Sequence, residues 1–188
     1  MQVYLLRGAD DEGALRSIDG FQWAGRGGVS FAGLWPTPAL STHDGLRWRR
    51  LDCFALSAPV DGVVLSDASV TALADLVLGA GEFWPVLVEG FRYRWLNVLA
   101  EADVLSDTTE GVWAEGFLVS VRRLVFRPAA LAAAPSIFRV PELPSGYLFV
   151  RERFVSAVAD LSGFRFDLVW SAAGGGVADA PGLGALGT

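Results

Sequence analysis

Several acidic residues stand in one short stretch, EADVLSDTTEG at residues 101–111. Asp103, Asp107 and Glu110 stand close enough together in this predicted loop for two of them to form a general acid–base pair. Acids in loops are more often simply solvated, so a small carboxylate-dependent hydrolase is an alternative reading rather than the first one. Glu101 opens the same stretch and adds a fourth negative charge.

A nucleophilic thiol is the other chemistry that the residue types allow. The chain has one cysteine, Cys53, and one histidine, His43. A thiol needs a nearby base or positive charge to ionise near neutral pH, so a Cys53–His43 pair is possible in principle. Cys53 stands in the apolar stretch LDCFAL, however, which favours a small core residue, whereas His43 lies in the polar stretch STHDG.

Other catalytic and cofactor motifs are missing from the sequence. There is no GxSxG, P-loop or HExxH pattern, and a single cysteine with a single histidine does not make a structural zinc site. The glycine-rich AGRGG at 24–28 neither follows a predicted strand nor opens a predicted helix, as a phosphate-binding loop requires. We therefore expect a protein that is not an enzyme and that uses no cofactor.

The charge balance restricts the partners. A net charge of −6 and an isoelectric point near 4.7 argue against a nucleic-acid partner, which needs a basic face, and permit a basic protein partner. No apolar run approaches the roughly 18 residues of a membrane span, and the N-terminus lacks the pattern of a signal peptide. We expect a soluble cytoplasmic protein.

A strand–helix pattern occurs twice, as VVLSDASVTALADLVLG at 63–79 and LFVRERFVSAVADLSGF at 148–164. In each copy an apolar strand leads to an acidic residue, Asp67 or Glu152, and then to apolar residues at helical spacing. Ser66 or Asp67 is suited to cap the first helix, since its oxygen can accept a free amide of the first turn. The matching positions serve folding and mark no catalytic site.

Aromatic strands account for most of the remaining pattern. We predict a hairpin over 82–98 that turns at Glu89–Gly90, a second hairpin or long strand over 113–126, and a last strand from Phe164 to Trp170. Pro128 can start a short helix. The Gly- and Pro-rich residues 25–46 read as irregular loop.

The predicted fold class is α+β: a mostly antiparallel β-sheet with two main short helices and a flexible Ala/Gly-rich C-terminal tail. Residues 1–171 form one domain in this reading, and residues 172–188 form the tail, whose composition cannot bury enough apolar surface to order itself.

Seven tryptophans offer material for a binding surface. Most of those in strands are expected in the core. Trp35 and Trp48 lie in or beside loop-rich sequence and are the better candidates for an exposed platform, because Trp and Arg dominate interface hot spots. Trp48 is flanked by Arg47, Arg49 and Arg50.

Four ordered segments in the C-terminal two-thirds of the chain resemble a family of bacterial immunity proteins. The family is the myxobacterial-type immunity family, which is found beside toxin genes in polymorphic toxin systems. The segments are LSDASVTALADLVLGAGEFWPV at 65–86, RWLNVLAEADVLSD at 94–107, VFRPAALAAAPSIFRVPEL at 125–143 and FVRERFVSAVADLSGFRFDLVW at 149–170.

The resemblance implies a mostly β protein that binds a cognate toxin and blocks it by stoichiometric occlusion. No toxin-contacting motif of the family transfers to this sequence, so the contact residues are predicted from charge and exposure alone. They are Glu101, Asp103, Asp107, Glu110, Asp10, Asp11, Glu12, Trp35 and Trp48. A structural or scaffolding domain of a secretion or phage-like apparatus is a further alternative.

Overall fold

The computed structural model describes residues 1–8, 15–17, 30–31, 36–42, 50–55, 62–143 and 147–176. Within these ranges the chain is α+β and mainly antiparallel, which confirms the predicted fold class. The elements are β1 (Gln2–Gly8), β2 (Leu15–Ser17), β3 (Ala39–Thr42), β4 (Cys53–Ala55), β5 (Val63–Leu65), α1 (Asp67–Val77), β6 (Gly81–Val88), β7 (Phe91–Val98), β8 (Glu110–Ala114), β9 (Phe117–Arg123), α2 (Pro128–Ala133), β10 (Ile137–Phe138), β11 (Leu148–Arg151), α3 (Glu152–Ala157), β12 (Phe164–Ser171) and β13 (Gly175–Gly176).

The first sheet has the order β10-β11-β1-β12-β13, and all of its neighbouring strands are antiparallel. Its central strand, β1, pairs on one side with β11 and on the other with β12, so strands near the two ends of the chain meet in the middle of the sheet. The predicted tail differs here, because Gly175 and Gly176 pair with Ser171 and Trp170 as the short strand β13.

The second sheet has the order β2-β3-β6-β7-β5-β4, in which only the β3–β6 pairing is parallel. The predicted hairpin forms its centre: β6 and β7 pair from Gly81↔Val98 to Val88↔Phe91. The sequence predicts a polar loop or short helix over residues 8–20 and irregular loop over residues 25–46, and these predictions are wrong where β2 and β3 form. Pairing with each other and with the end of β6 makes these short segments strands, and their local sequence carries no such signal.

The hairpin β8–β9 is a separate two-stranded sheet. It turns at Glu115–Gly116, where both residues have positive φ, 50° and 86°, as a two-residue turn requires. The turn Glu89–Gly90 of the β6–β7 hairpin has the same conformation, with φ of 48° and 81°, and confirms the predicted turn position.

Helix α1 begins as predicted. Ser66 is its N-cap, and the Ser66 hydroxyl accepts from the Ser69 backbone N–H at 3.2 Å. The sequence predicts the second helix from about Glu152 to Leu161, but α3 ends at Ala157. It has no side-chain cap, and the carboxylate of its first residue, Glu152, lies 3.7 Å from the N-terminal amine. The two sequence copies therefore start their helices differently.

The core lies in three layers separated by the two sheets. One cluster packs between the sheets and includes α1 and α3 through Leu73 and Phe154. A second lies on the far face of the first sheet and takes in α2, the 102–105 stretch and the inner face of β9. The third covers the far face of the second sheet around Tyr93 and Trp95. Both sheets are therefore covered on both faces.

Candidate functional site

The acidic stretch that follows β7 is held firmly against the first-sheet side of the core. Ala102, Val104 and Leu105 are buried, and the acids between and around them point to solvent. Backbone hydrogen bonds fix the path: Ala102 N donates to Arg139 O at 2.9 Å, and Ser106 N donates to Val125 O at 2.8 Å. We call residues 101–110 the acidic segment. Its charges are displayed on an anchored backbone.

Arginines face three of the four predicted contact acids of the acidic segment. Glu101 pairs with Arg139, whose side chain is only 8% exposed. The carboxylate of Asp103 lies 2.5 Å from the Arg127 guanidinium, which also donates to the Asp103 carbonyl at 2.7 Å.

Glu110 lies 3.3 Å from Arg123 across the β8–β9 ladder. Asp107, by contrast, accepts a hydrogen bond from the Ser106 hydroxyl and has no arginine partner in the described part of the chain. Within the described residues the partners of these acids are arginines and hydroxyls, and no two of Asp103, Asp107 and Glu110 share a hydrogen bond. Asp107 is the acid of the segment that has no arginine partner there.

Several predicted residues cannot be placed. Asp10, Asp11, Glu12, Trp35, Trp48 and His43 lie outside the described residues. Cys53 is fully buried, which agrees with the prediction of a core residue. Burial, and to a smaller extent the neighbouring Asp52 charge, raises the pKa of the Cys53 thiol well above its ordinary value, so this thiol is protonated at neutral pH.

Asp52 is a structural residue that the sequence did not single out. Its carboxylate accepts from the Ser66 hydroxyl at 2.7 Å, and from the Ser162 N–H at 3.0 Å and hydroxyl at 2.9 Å. Burial raises the pKa of Asp52, but these hydrogen bonds outweigh it and the net shift is downward. The Asp52 carboxylate thereby joins the start of α1 to the turn after α3. Ser66 lies 14 residues and Ser162 lies 110 residues further along the chain than Asp52.

Glu82 is a second carboxylate that links separate segments of the chain, here at the start of β6. Its carboxylate accepts from the Asn97 amide at 2.9 Å, the Phe31 N–H at 3.1 Å and the Ser30 hydroxyl at 2.9 Å. Burial raises the pKa of Glu82, while hydrogen bonds from these groups and from Trp84 lower it, and the lowering prevails. The ionised carboxylate thus ties residues 30–31 to the second sheet.

The largest feature that sequence reasoning missed is the exposure of β8–β9. Val112, Trp113, Phe117 and Val119 are between 39% and 54% exposed, although residues 113–126 carry the apolar pattern of buried strands. Trp95 and Trp170 lie in the core as predicted. No local signal separates the two groups, because burial here depends on which strands lie alongside.

Comparisons with known proteins identify no relative: no protein-family model and no curated protein matches the chain. Among the described residues, no group of three or more His, Cys, Asp or Glu side chains could hold a metal ion. Over the same residues, no helix is long and apolar enough to cross a membrane.

Proposed function

We propose that this chain is an immunity protein that binds a cognate bacterial toxin and neutralises it by stoichiometric occlusion in the cytoplasm. The four ordered segments that resemble the immunity family motivate the class of function. The structural observation that carries it is the acidic segment, in which buried Ala102, Val104 and Leu105 hold Glu101, Asp103 and Asp107 outward. Such a display suits capture of a basic partner.

The arginine pairs shape how the acidic segment would act. Arg127 and Arg123 hold the carboxylates of Asp103 and Glu110 in fixed positions while leaving them 75% and 55% exposed. Basic side chains of a toxin can compete for these oxygens without any backbone movement. Surface charges of this kind chiefly accelerate association and make it depend on salt, and they add less to the lifetime of the complex.

The test is co-expression with the toxin encoded by the adjacent gene, followed by association kinetics with the purified pair. Protection of the cells and a stable one-to-one complex are expected. The double variant Asp103→Asn with Asp107→Asn should slow association about two- to fivefold at low salt and have little effect at high salt. Asp75→Asn with Asp160→Asn is the matched control, because both residues are exposed acids outside the acidic segment.

Two different failures are distinguishable. If cells are not protected and no complex forms, the protein is not an immunity protein for that toxin. If a protective complex forms but the double variant associates at the wild-type rate, the toxin is captured by another surface. Glu101 is left unchanged in these variants, since removing its charge would leave the buried Arg139 guanidinium unpaired and lower stability.

A further inference from the structure

The β8–β9 hairpin exposes four large apolar side chains, Val112, Trp113, Phe117 and Val119. Successive side chains of a strand point to opposite faces, so Val112 and Trp113 lie on opposite faces of β8. Elsewhere in the described ranges, the exposed large apolar residues are Met1, Leu78 and Phe91, which are far apart in the sequence. Four exposed apolar residues in one short hairpin make it the candidate for an interaction.

One edge of the hairpin is open for strand pairing. β8 pairs with β9 on one side, and no hydrogen bond reaches its other edge within the part of the chain that the structure describes. Both register shifts place the extra residue in β9, at Val119 and Arg122, so β8 keeps a regular extended backbone. The outer edge of β9 is already used, since Leu118 N donates to Glu142 O at 2.8 Å.

We propose that the open edge of β8 binds a second copy of this chain, by antiparallel β8–β8 pairing centred on Val112. A regular, exposed strand edge with apolar side chains is a ready template for an added strand. Pairing about Val112 makes the interface two-fold symmetric and closed, so association stops at the dimer. This inference does not depend on the proposed toxin-binding function.

The sequence of β8 is complementary to itself in this register. Val112 faces Val112 of the second copy, and Trp113 faces Gly111, so the large indole covers the position that has no side chain. Leu118 and Val121 flank this pair within each hairpin, because they lie opposite Trp113 and Gly111 in the β8–β9 ladder. One face of the four-stranded sheet therefore becomes a continuous apolar row.

Charge also favours this register. Glu110 falls opposite Ala114 of the second copy, and no two like charges face each other along the five paired positions. The second copy thereby pairs with the β8 edge that has no partner among the described residues, packs against Val112 and Trp113, and opposes no charge to a like charge. Two five-residue strands bury less than the roughly 800 Å² per partner of a standard interface, so the dimer is expected to form in a concentration-dependent way.

Disulfide trapping tests the register directly. Residues facing each other across an antiparallel pair have Cα atoms about 4.5–5.5 Å apart, within the range of a disulfide. Val112→Cys should therefore form a covalent dimer under mild oxidation at least about tenfold faster than Val119→Cys or Leu78→Cys, because pairing raises the local thiol concentration. The native Cys53 is fully buried and does not interfere.

Sedimentation of the full chain gives an independent measurement. The wild-type protein should shift from monomer to dimer as its concentration rises, and Val112→Arg should remain monomeric because two guanidinium groups would meet at the symmetry axis. Leu78→Arg makes the same change at an isolated apolar residue that is 84% exposed, and it should dimerise like wild type. Circular dichroism checks that both variants are folded.

Three outcomes would overturn the proposal: a wild-type chain that is monomeric up to about 1 mM, a Val112→Arg variant that dimerises like wild type, or a Val112→Cys variant that cross-links no faster than its controls. The last two would place any self-association on another surface.

Discussion

The two hairpins of this molecule, β6–β7 and β8–β9, share a turn and differ in nearly everything that surrounds it. Both turn through Glu-Gly with positive φ at each residue, and both pair antiparallel. β6–β7 lies in the centre of a six-stranded sheet with β3 and β5 alongside, whereas β8–β9 stands alone. The turn therefore fixes the hairpin, and the neighbouring strands decide whether its side chains are buried.

The difference shows which hairpin contributes more to the stability of the fold. β7 contributes Trp95, Leu96 and Val98 to the core, each less than 5% exposed. β8 contributes no buried side chain, and its hairpin is attached through Leu118 and Val121 of β9. A two-stranded hairpin is marginal on its own, so β8 is expected to be the less stable strand.

Matched valine truncations should show the largest difference in stability between the two hairpins. Val98→Ala in β7 removes two buried methyl groups and should lower the free energy of unfolding by about 2 kcal/mol. Val112→Ala in β8 removes the same groups from a side chain that is 54% exposed, and should change the free energy of unfolding by less than about 0.5 kcal/mol. Urea denaturation measures both, and equal losses would contradict the contrast.

The glycines of the two turns give a second matched pair. Gly90→Ala and Gly116→Ala each place a side chain at positive φ, with no atom within 4 Å of the added group, so backbone strain alone should cost about 1 kcal/mol. In Gly90→Ala this cost should appear as a lower free energy of global unfolding. In Gly116→Ala it should appear mainly as faster amide hydrogen exchange in β8.

Hydrogen exchange by mass spectrometry distinguishes these outcomes. Gly116→Ala could instead lower global stability as much as Gly90→Ala without speeding the exchange of residues 110–114. The two hairpins would then unfold together, and they would differ in side-chain burial but not in local stability.

Acid should weaken the β6–β7 hairpin through Glu82. The pKa of Glu82 is lowered in the folded state, so its hydrogen bonds stabilise the fold above the ordinary pKa of 4.5 and are lost as the pH falls through the folded value. Glu82→Gln should therefore be less stable than wild type at pH 7, and the gap should narrow towards pH 3. Thermal unfolding of both proteins between pH 7 and pH 3 measures this difference in stability. A difference that stays constant with pH would exclude Glu82 as the cause of the acid sensitivity.

Strong local patterns made much of the fold predictable. Ser66 caps α1, Glu89–Gly90 makes the turn, and Pro128 opens α2, because each depends on a few adjacent residues. The strands β2 and β3 were not predictable, since they are strands through long-range pairing: β2 pairs with β3, and β3 pairs with β6.

The grouping of the acids was predictable from the sequence, whereas their arginine partners were not. The sequence places the acids of the acidic segment together, but the arginines that face Glu101 and Asp103 lie 38 and 24 residues further along the chain. The exposure of Trp113 was not predictable, because the local sequence does not show which strands lie alongside β8.

The central position of β1 has a consequence for synthesis. β1 pairs only with β11 and β12, so both of its edges wait until residues 148–171 have left the ribosome. At about 5–20 residues per second this delay lasts roughly 10 to 30 s, during which an apolar strand is available to other nascent chains.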